Sequence, residues 1–222
     1  MEKLVKGILD FRLKLLSTYR EKYAHLALGQ YPDTLFIACS DSRVVPNLFA
    51  STNPGDLFVL RNVGNLIPPY AKAVNEATAE AAAIDFSLEN LPIANIIVCG
   101  HSECGAMQAI ISGMDKIESP SLKSWLYNCR CTEEHLKLDH AASEHLAPHN
   151  QLSQRNILQQ MEHLRTYPII QEKLKKKTIN IHGWYFDIAT GDVYAYEEAL
   201  NRFIIIDEVE AILILERLKK KG

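Results

Sequence analysis

Two short segments of the sequence carry the residue types that bind zinc. Cys39 begins the segment CSDSR, and His101 and Cys104 lie in the segment GHSECG. Zinc accepts Cys sulfur and His nitrogen in a tetrahedral shell, and three protein ligands leave a fourth position open to water, as in catalytic sites. An isolated His-x-x-Cys pair is weak evidence, and a buried cysteine at a strand end is usually a small core residue. The three residues are therefore a candidate ligand set if the fold brings both segments together.

A carboxylate and a guanidinium closely follow the first cysteine. Asp41 comes two residues after Cys39, so it can face the same crevice, and Arg43 can hold that carboxylate by a paired hydrogen bond. The residues alone favour this interpretation and an ordinary helix cap with a surface ion pair equally. Gly105 directly follows Cys104 and permits a tight turn into a helix whose N-terminus helps to hold a thiolate.

The surrounding residues predict the elements that must position these segments. Short, almost wholly apolar runs are typical of buried strands, and helical stretches separate them; the runs are 35–39, 57–60 and 96–99. This alternation predicts an α/β fold with a mainly parallel central sheet and helices on both faces. Two further runs, 178–186 and 193–196, predict strands around a turn and an antiparallel edge strand. Because ligands bind outside the carboxyl ends of such strands, the residues after Ala38 and after Cys99 are expected to form the site.

The two ends of the chain predict helices outside this core. A helical stripe at i, i+4, i+7 and i+11 runs along the N-terminal segment and consists of Leu4, Ile8, Phe11 and Leu15. A last helix is predicted from about Asp207, and its apolar residues are Val209, Ile212, Leu215 and Leu218. We therefore predict a single domain over 1–222. It comprises an N-terminal helical arm (1–28), a zinc-binding α/β core (29–200) and a C-terminal helical segment (201–222).

The composition excludes several classes of protein. The chain has 222 residues, of which 47% are apolar and 23% charged, and its formal net charge is −3. These values are typical of a globular protein and give no support to nucleic-acid or membrane-surface binding driven by charge. No apolar run approaches the roughly 18 residues of a membrane span, and the N-terminus lacks the apolar stretch of a secretory signal. The odd number of cysteines, five, indicates reduced thiols in the cytoplasm rather than a disulfide framework.

The two segments together resemble the signature pair of the β-class carbonic anhydrases. The likeness covers roughly residues 28–196 and includes further similar blocks, which are Pro54-Gly55-Asp56, Arg61-Asn62-Val63-Gly64-Asn65, Pro68-Pro69-Tyr70 and His182-Gly183-Trp184. The resemblance implies an enzyme with one zinc ion per chain that interconverts carbon dioxide and bicarbonate. It also implies the site residues: the metal ligands would be Cys39, His101 and Cys104, and the catalytic pair would be Asp41 and Arg43.

The resemblance further implies a substrate pocket and an assembly. Gln30 matches a glutamine that lines the pocket in the plant-like branch of the family, where it comes from the neighbouring subunit. Phe58 and Val63 match apolar pocket walls, Phe86 stands where that branch often has a tyrosine, and Gly105 is also assigned to the pocket. N-terminal helices of the family lie across a partner subunit, so the arm is expected to be a dimerisation arm. A homodimer or a dimer of dimers is therefore expected.

The other branch of the family carries an inhibitory bicarbonate pocket built from Trp, Arg and Tyr. The matching positions here are Phe36, Arg61 and Phe186, so only the arginine remains. Tyr185 is adjacent, but it is expected to face the other way because side chains alternate along a strand. We therefore predict the plant-like, open-site branch, without that bicarbonate switch.

The expected chemistry follows from the charge on the metal. Zinc lowers the pKa of its bound water and supplies hydroxide near neutral pH, and this hydroxide is expected to attack carbon dioxide and give bicarbonate and a proton. Two thiolates donate more charge than two imidazoles, so we expect rates that rise at alkaline pH. Asp41 is expected to accept the hydrogen bond from zinc hydroxide, and Arg43 to keep Asp41 ionised and turned away from the metal.

Three alternatives remain open from the sequence. A related zinc hydrolase acting on carbon disulfide or carbonyl sulfide would carry similar residues. A structural zinc protein would use the metal only to hold the fold, and a redox protein would use Cys39 and Cys104 as reactive thiols. Glu103 is interpreted as facing away from the metal, and Cys129 and Cys131 as ordinary thiols. Five histidines are interpreted as solvated or capping residues; they are His135, His140, His145, His149 and His163.

Overall fold

A six-stranded sheet lies at the centre of the computed structural model, which describes residues 1–129 and 145–219. The strand order is β2-β1-β3-β4-β5-β6. The strands are β1 (Thr34–Cys39), β2 (Leu57–Asn62), β3 (Asn95–His101), β4 (Asn180–Phe186), β5 (Val193–Glu197) and β6 (Arg202–Ile205). The first four strands pair in parallel, whereas β5 and β6 pair antiparallel. The predicted α/β fold with a mainly parallel sheet and an antiparallel edge is therefore confirmed.

Helices connect and flank these strands. They are α1 (Glu2–Asp10), α2 (Leu16–Leu26), α3 (Pro46–Phe49), α4 (Tyr70–Asn75), α5 (Ala79–Asn90), α6 (Gly105–Ser112), α7 (Pro120–Leu126), α8 (Pro148–Leu164), α9 (Pro168–Lys175) and α10 (Glu208–Lys219). A π-helical turn (Phe11–Leu15) joins α1 to α2, and short 3₁₀ turns cover Met114–Lys116, Tyr127–Cys129 and Glu198–Leu200. No helix in these two described ranges combines the length and apolar character needed to cross a membrane.

The prediction of a helical C-terminal segment from residue 201 is wrong over residues 202–205, because these residues form strand β6. This short stretch is rich in isoleucine, which favours strands. Phe203 is buried there, with its ring centroid 6.2 Å from that of Tyr185 and 5.4 Å from that of Tyr196. The predicted last helix does form as α10, and the Asp207 side chain caps it by accepting the N–H groups of residues 209 and 210.

Different elements pack against the two faces of the sheet. Alternating residues of β1 and β3 on one face, such as Leu35 and Ile96, share a buried core with α5 and α8. The alternate residues, such as Phe36 and Cys99, form a smaller core on the opposite face with Phe49 of α3 and with aromatic residues of β4. The parallel strands β1 and β3 are thus buried on both sides, which is why their sequences read as continuous apolar runs.

Helix α8 lies directly against β3 and β4 because each strand carries a glycine at the contact. A Cβ atom at Gly100 would lie 2.9 Å from Ile157 Cδ1, and one at Gly183 would lie 2.8 Å from Ile157 Cγ2 and from Met161 Sδ. Real Cβ contacts are not this short. The glycines therefore allow the helix to approach the strand end from which His101 projects.

The N-terminal arm has no buried residue in α1, in the π-helical turn or in α2. Its large apolar side chains are exposed, including Leu4, Ile8 and Leu13. At the end of the arm, Leu26 lies close to Gly55, where a Cβ would be 2.5 Å from Leu26 Cδ2. The arm therefore extends from the core with its apolar stripe uncovered in a single chain.

Candidate metal centre

The three candidate metal ligands meet at the carboxyl ends of two neighbouring strands. Cys39 ends β1 and His101 ends β3, and these strands are adjacent and parallel. Cys104 follows in the turn that begins α6. One ligand atom from each residue lies within 4.8 Å of the others, and all three residues are buried. The structure therefore brings together both segments, as the strand-end argument predicts.

The donor atoms of this cluster fit a zinc ion. His101 Nδ1 lies 2.8 Å from the carbonyl oxygen of Ser102, so Nδ1 carries the proton and Nε2 keeps its lone pair. Nε2 is buried and has no hydrogen-bond partner among the described residues. Buried polar atoms are nearly always satisfied. An unsatisfied imidazole nitrogen beside two cysteine sulfurs is therefore the arrangement expected of a metal ligand, and its S₂N donor set suits zinc.

A hydrogen bond links the side chains of Cys39 and Cys104. The hydrogen bond from Cys104 lowers the pKa of Cys39 to about 4, and the same interaction raises the pKa of Cys104 far above its usual value. The backbone N–H of Gly64 also donates to Cys39 Sγ, at 3.3 Å. A divalent cation that bound both sulfurs would hold them as thiolates.

Asp41 and Arg43 form a paired hydrogen bond beside the cluster. Arg43 Nε lies 2.9 Å from Asp41 Oδ1, and Nη2 lies 2.8 Å from Oδ2. The Arg43 hydrogen bonds hold the pKa of the Asp41 carboxyl well below its usual range. Arg43 Nη2 also donates to the carbonyl oxygen of Glu103, at 2.9 Å, and so links the two sequence segments.

Glu103 lies between two of the candidate ligands and adopts a left-handed backbone conformation, with φ of 55°. Its N–H donates to Asn150 Oδ1 at 2.7 Å. Its carboxylate contacts His149 Nε2 and Asn150 Nδ2, each at 3.0 Å, and the interaction with His149 lowers the pKa of the Glu103 carboxyl. The side chain therefore faces the N-terminus of α8, and the residue fixes the turn between His101 and Cys104.

Sequence reasoning missed the support that α8 gives to this site. Ser153 accepts the N–H of His101 at 3.2 Å and donates to the carbonyl oxygen of His101 at 2.8 Å. Asn156 donates to the carbonyl oxygen of Gly64 at 2.9 Å. Ser153, Asn156 and Asn150 repeat at intervals of three residues, which was the available signal. Such a polar stripe normally indicates a solvent-exposed face, whereas these side chains are buried.

The predicted substrate residues fall into two groups. Val63 and Gly105 lie next to the cluster, in the loop after β2 and at the first position of α6, and both are exposed. Phe58 pairs in register with Leu35, four residues before Cys39, which is about 13 Å along the strand. Phe86 lies against Phe58, with ring centroids 5.9 Å apart.

Gln30 is exposed and precedes the opposite, amino end of β1. The structure therefore does not bring Gln30, Phe58 or Phe86 to the cluster of their own chain. Their assignment to a substrate pocket, with Val63 and Phe86 as apolar walls beside Phe58, stays a prediction.

Phe36, Arg61 and Phe186 occupy the positions that match the bicarbonate pocket of the other branch, and here they make contacts within the chain. Phe36 and Phe186 both contact Phe49, with ring centroids 6.0 Å and 4.6 Å away, and Phe36 also meets Trp184 edge-on at 5.9 Å. Arg61 donates to the carbonyl oxygens of residues 39, 41 and 44. The arginine therefore binds the loop that carries Asp41, and the two aromatic positions belong to an apolar cluster.

The remaining candidates lie away from the cluster or outside the described residues. His163 contacts the carbonyl oxygen of Ile67 at 2.6 Å, and His145 is exposed. Cys129 is buried and contacts Met107, with the two sulfurs 3.7 Å apart. Cys131, His135 and His140 lie outside the described residues.

Comparison with known proteins gives concordant results for sequence and structure. A family model described as carbonic anhydrase matches residues 34–193. The carbonic anhydrase of Synechocystis sp. is 40% identical over 210 residues, which cover 92% of this chain and 74% of that protein. The carbonic anhydrase of Pseudomonas aeruginosa is 36% identical over 208 residues, which cover 94% of this chain and 93% of that protein.

Two solved structures share the fold over most of their length. The β-carbonic anhydrase CcaA superposes with a TM-score of 0.83 at 38% identity, covering 94% of this chain and 92% of that one. A structure described among two tetrameric β-carbonic anhydrases from the ascomycete Sordaria macrospora superposes with a TM-score of 0.74 at 27% identity, covering 87% and 95%.

Proposed function

We infer that this chain, which belongs to the β-class carbonic anhydrase family, is an enzyme with one zinc ion per chain. The reaction that we propose is the reversible hydration of carbon dioxide to bicarbonate and a proton. The observation that carries the proposal is the buried cluster of Cys39, His101 and Cys104, in which His101 Nε2 has no hydrogen-bond partner among the described residues. Three protein donors leave a tetrahedral ion one position for water, which is the pattern of catalytic zinc sites.

The ion would supply a nucleophile near neutral pH by lowering the pKa of a coordinated water. Asp41 would accept a hydrogen bond from the attacking hydroxyl and so direct its lone pair toward the carbon of the substrate. Arg43 keeps this carboxylate ionised, and its second contact, to the carbonyl oxygen of Glu103, fixes the direction of the pair. These contacts support a role for Arg43 in keeping Asp41 from taking the open metal position.

Carbon dioxide is small and apolar, so its binding requires apolar walls and few hydrogen-bond donors. Val63, which is 43% exposed, and Gly105 lie beside the cluster of their own chain, which supports a role for both in its pocket. Gln30, Phe58 and Phe86 lie toward the other end of β1 and β2, and Phe86 is 47% exposed. We propose that these three residues line the pocket of a partner subunit, where Gln30 donates a hydrogen bond to a substrate oxygen.

The uncovered arm supports a homodimer as the active unit. A stripe of exposed leucine, isoleucine and valine side chains on an isolated helix favours association, because burial of apolar surface is favourable. The arm extends from the same end of β1 as Gln30, so one interface would both cover the stripe and deliver pocket residues to the partner. The structural relatives described as tetrameric support further pairing of such dimers.

The pocket positions that differ between branches favour the plant-like, open-site branch. Arg61 donates hydrogen bonds to three backbone carbonyl oxygens, and Phe36 and Phe186 pack against other aromatic rings. Neither phenylalanine offers a hydrogen-bond donor to bicarbonate. We therefore propose that the enzyme has no inhibitory bicarbonate site at these positions.

We propose the cytoplasm as the location of the enzyme. Cys39 and Cys104 must be reduced and deprotonated to bind the metal, and a reducing compartment preserves them in that form.

The test of the proposed function is stopped-flow hydration of carbon dioxide by the zinc-loaded protein between pH 7 and pH 9, beside the Cys104→Ser variant. We expect activity that rises with pH and is lost in the variant. Absence of activity at every pH, with one zinc bound per chain, would overturn the proposal in favour of a hydrolase acting on carbon disulfide or carbonyl sulfide, or of a structural zinc protein. Absence of stoichiometric zinc would favour a thiol redox protein.

A further inference from the structure

One backbone amide beside the metal cluster is directed at a ligand atom. The N–H of Gly64 donates to Cys39 Sγ at 3.3 Å, and both residues are buried. A hydrogen bond to a thiolate withdraws charge from the sulfur and so changes how strongly the sulfur donates to a metal. The strength and direction of this single amide therefore bear on the electronic properties of the site.

The peptide group that carries this amide is held at its other end by a tryptophan. The N–H of Gly64 and the carbonyl of Val63 belong to the same peptide plane. Trp125 Nε1 on α7 donates to that carbonyl oxygen at 2.8 Å. Successive hydrogen bonds polarise one another, so a donor on the carbonyl makes the N–H at the other end a stronger donor. A continuous chain of hydrogen bonds thus runs from the indole of Trp125 to the sulfur of Cys39.

The neighbouring backbone leaves this peptide little freedom to turn away. Gly64 has φ of 81°, a conformation that favours glycine, and a Cβ there would lie 3.2 Å from the Cβ of Ala106. Asn156 Nδ2 donates to the carbonyl oxygen of Gly64 at 2.9 Å and fixes the next peptide. The amide is therefore preorganised by contacts from α6, α7 and α8.

We propose that Trp125 is a positioning residue for the metal centre, acting through the Val63–Gly64 peptide on the Cys39 thiolate. Its indole N–H both orients the amide and strengthens the hydrogen bond that the sulfur accepts. The proposal rests on the proposed metal site, because it requires that Cys39 be a ligand. A purely structural Trp125 would instead stabilise the fold without changing the electronic state of the sulfur.

Cobalt(II) substitution separates these two roles, since thiolate-to-cobalt charge-transfer bands report directly on the sulfur ligands. We expect Trp125→Phe, which keeps an aromatic ring and loses the N–H, to shift the charge-transfer band to longer wavelength. We also expect the affinity for zinc, measured by competition with a chelator, to fall about ten-fold, as is usual for loss of an outer-shell partner.

Trp184→Phe is the matched control. Trp184 is the other tryptophan of the chain and lies on β4 against Phe36, with ring centroids 5.9 Å apart. We expect its replacement to leave both the cobalt spectrum and the zinc affinity unchanged. A Trp125→Phe spectrum identical to that of the wild type would overturn the proposal even if its melting temperature fell.

A measurement on the wild-type protein covers the case in which Trp125→Phe does not fold. With ¹¹³Cd in the site, a scalar coupling between the metal and the amide proton of Gly64 passes through the N–H···S hydrogen bond. We expect this coupling, and its absence in the cadmium-loaded protein would overturn the proposal. A wild-type protein that binds cobalt without any thiolate charge-transfer band would instead overturn the proposed metal site, and the role of Trp125 with it.

Discussion

Asp41 and Arg43 form a two-point ion pair that also bonds to the segment carrying the candidate ligands His101 and Cys104. Two nearly equal contacts, of 2.9 Å and 2.8 Å, join the guanidinium to the carboxylate, and the same Nη2 atom donates to the carbonyl oxygen of Glu103. A side chain held at both oxygens cannot rotate toward the metal position without breaking charge-assisted hydrogen bonds. The pair therefore has a fixed direction relative to Cys39 and His101.

Arg43→Ala is expected to lower the rate of carbon dioxide hydration about 100-fold, because small losses of orientation near the reacting atoms have effects of this size. The zinc content is expected to remain at one ion per chain, since Arg43 is not a metal ligand. Stopped-flow kinetics and metal analysis of the purified variant test this.

Arg43→Lys is the matched variant for this experiment. Lysine keeps the positive charge but lacks the planar fork that binds both carboxylate oxygens. We expect only partial recovery of the rate. An Arg43→Ala enzyme with intact zinc and an unchanged rate would contradict the orienting role.

The ion pair also predicts a pH dependence of stability. Because Arg43 lowers the folded-state pKa of Asp41 below its unfolded value of 3.8, the ionised pair stabilises the folded state fully above that value. The stabilisation is lost as the pH falls through the lowered folded-state pKa. We therefore expect Asp41→Asn to be less stable than the wild type at pH 6, and the difference to shrink progressively below about pH 4.

Urea unfolding in the presence of a chelator measures this difference without a contribution from metal release. An Arg43→Ala background supplies the control, because Asp41→Asn should have little further effect there. A stability difference that stayed constant from pH 6 to pH 3 would show that the carboxylate charge contributes nothing.

The sequence was sufficient to find the candidate metal cluster because the carboxyl ends of neighbouring parallel strands lie at the same edge of the sheet. The apolar runs before Cys39 and before His101 identified two buried strands, and their carboxyl ends had to meet if the strands were neighbours. Cys104 was identified by its spacing of three residues from His101 in the sequence. Local pattern and sheet geometry agree here, so residue type and spacing were enough.

The support around the cluster was not readable from the same patterns. Asn150 and Ser153 lie on a polar stripe that looks solvent-exposed, yet they bind the backbone of Glu103 and His101, which are distant in the sequence. Trp125 donates a hydrogen bond to the carbonyl oxygen of Val63, 62 positions away. Such contacts depend on how α7 and α8 pack, which periodicity does not specify. Strand β6 was missed because a run of four residues carries little periodic signal.

Metal removal is expected to reduce stability, since a cation that binds the folded chain stabilises it by mass action. Free zinc at about 1,000 times its dissociation constant would contribute about 4 kcal/mol to the free energy of unfolding. Cys104→Ser is expected to lose most of this zinc-dependent increment. Thermal unfolding with and without excess chelator measures it.

Cys99→Ser is the matched control, because Cys99 is buried on the same strand as His101 and is absent from the ligand cluster. Its zinc-dependent increment should equal that of the wild type. Equal increments in all three proteins would argue against Cys104 as a ligand.

Deletion of residues 1–28 is expected to abolish dimerisation and with it most of the activity. The arm buries no residue of its own in α1 or α2, so its removal exposes little new core while removing the apolar stripe. Analytical ultracentrifugation and hydration kinetics of the truncated, zinc-loaded chain test both effects. A truncated chain that remained dimeric and active would refute the role of the arm.

Substitutions within the full-length arm refine this test. Leu4→Asp with Ile8→Asp places charges on the stripe and should weaken the dimer, whereas Lys6→Asp changes charge on an exposed side chain of the same helix and should not. Equal dissociation in both variants would point to net charge rather than apolar contact.

Substitutions of the two glycines that contact α8, Gly100 and Gly183, should differ in their effect on zinc affinity although both lower stability. Gly100→Ala and Gly183→Ala each force a Cβ into α8, and overpacking of this kind costs about 1–3 kcal/mol of unfolding free energy. The Cβ at residue 100 would also lie 2.9 Å from Ser153 Oγ, the atom that holds the backbone of His101 on both sides. We therefore expect Gly100→Ala alone to weaken zinc binding, about ten-fold. Urea unfolding and chelator competition on both variants measure the two quantities, and equal zinc affinities would show that Ser153 does not position the histidine ligand.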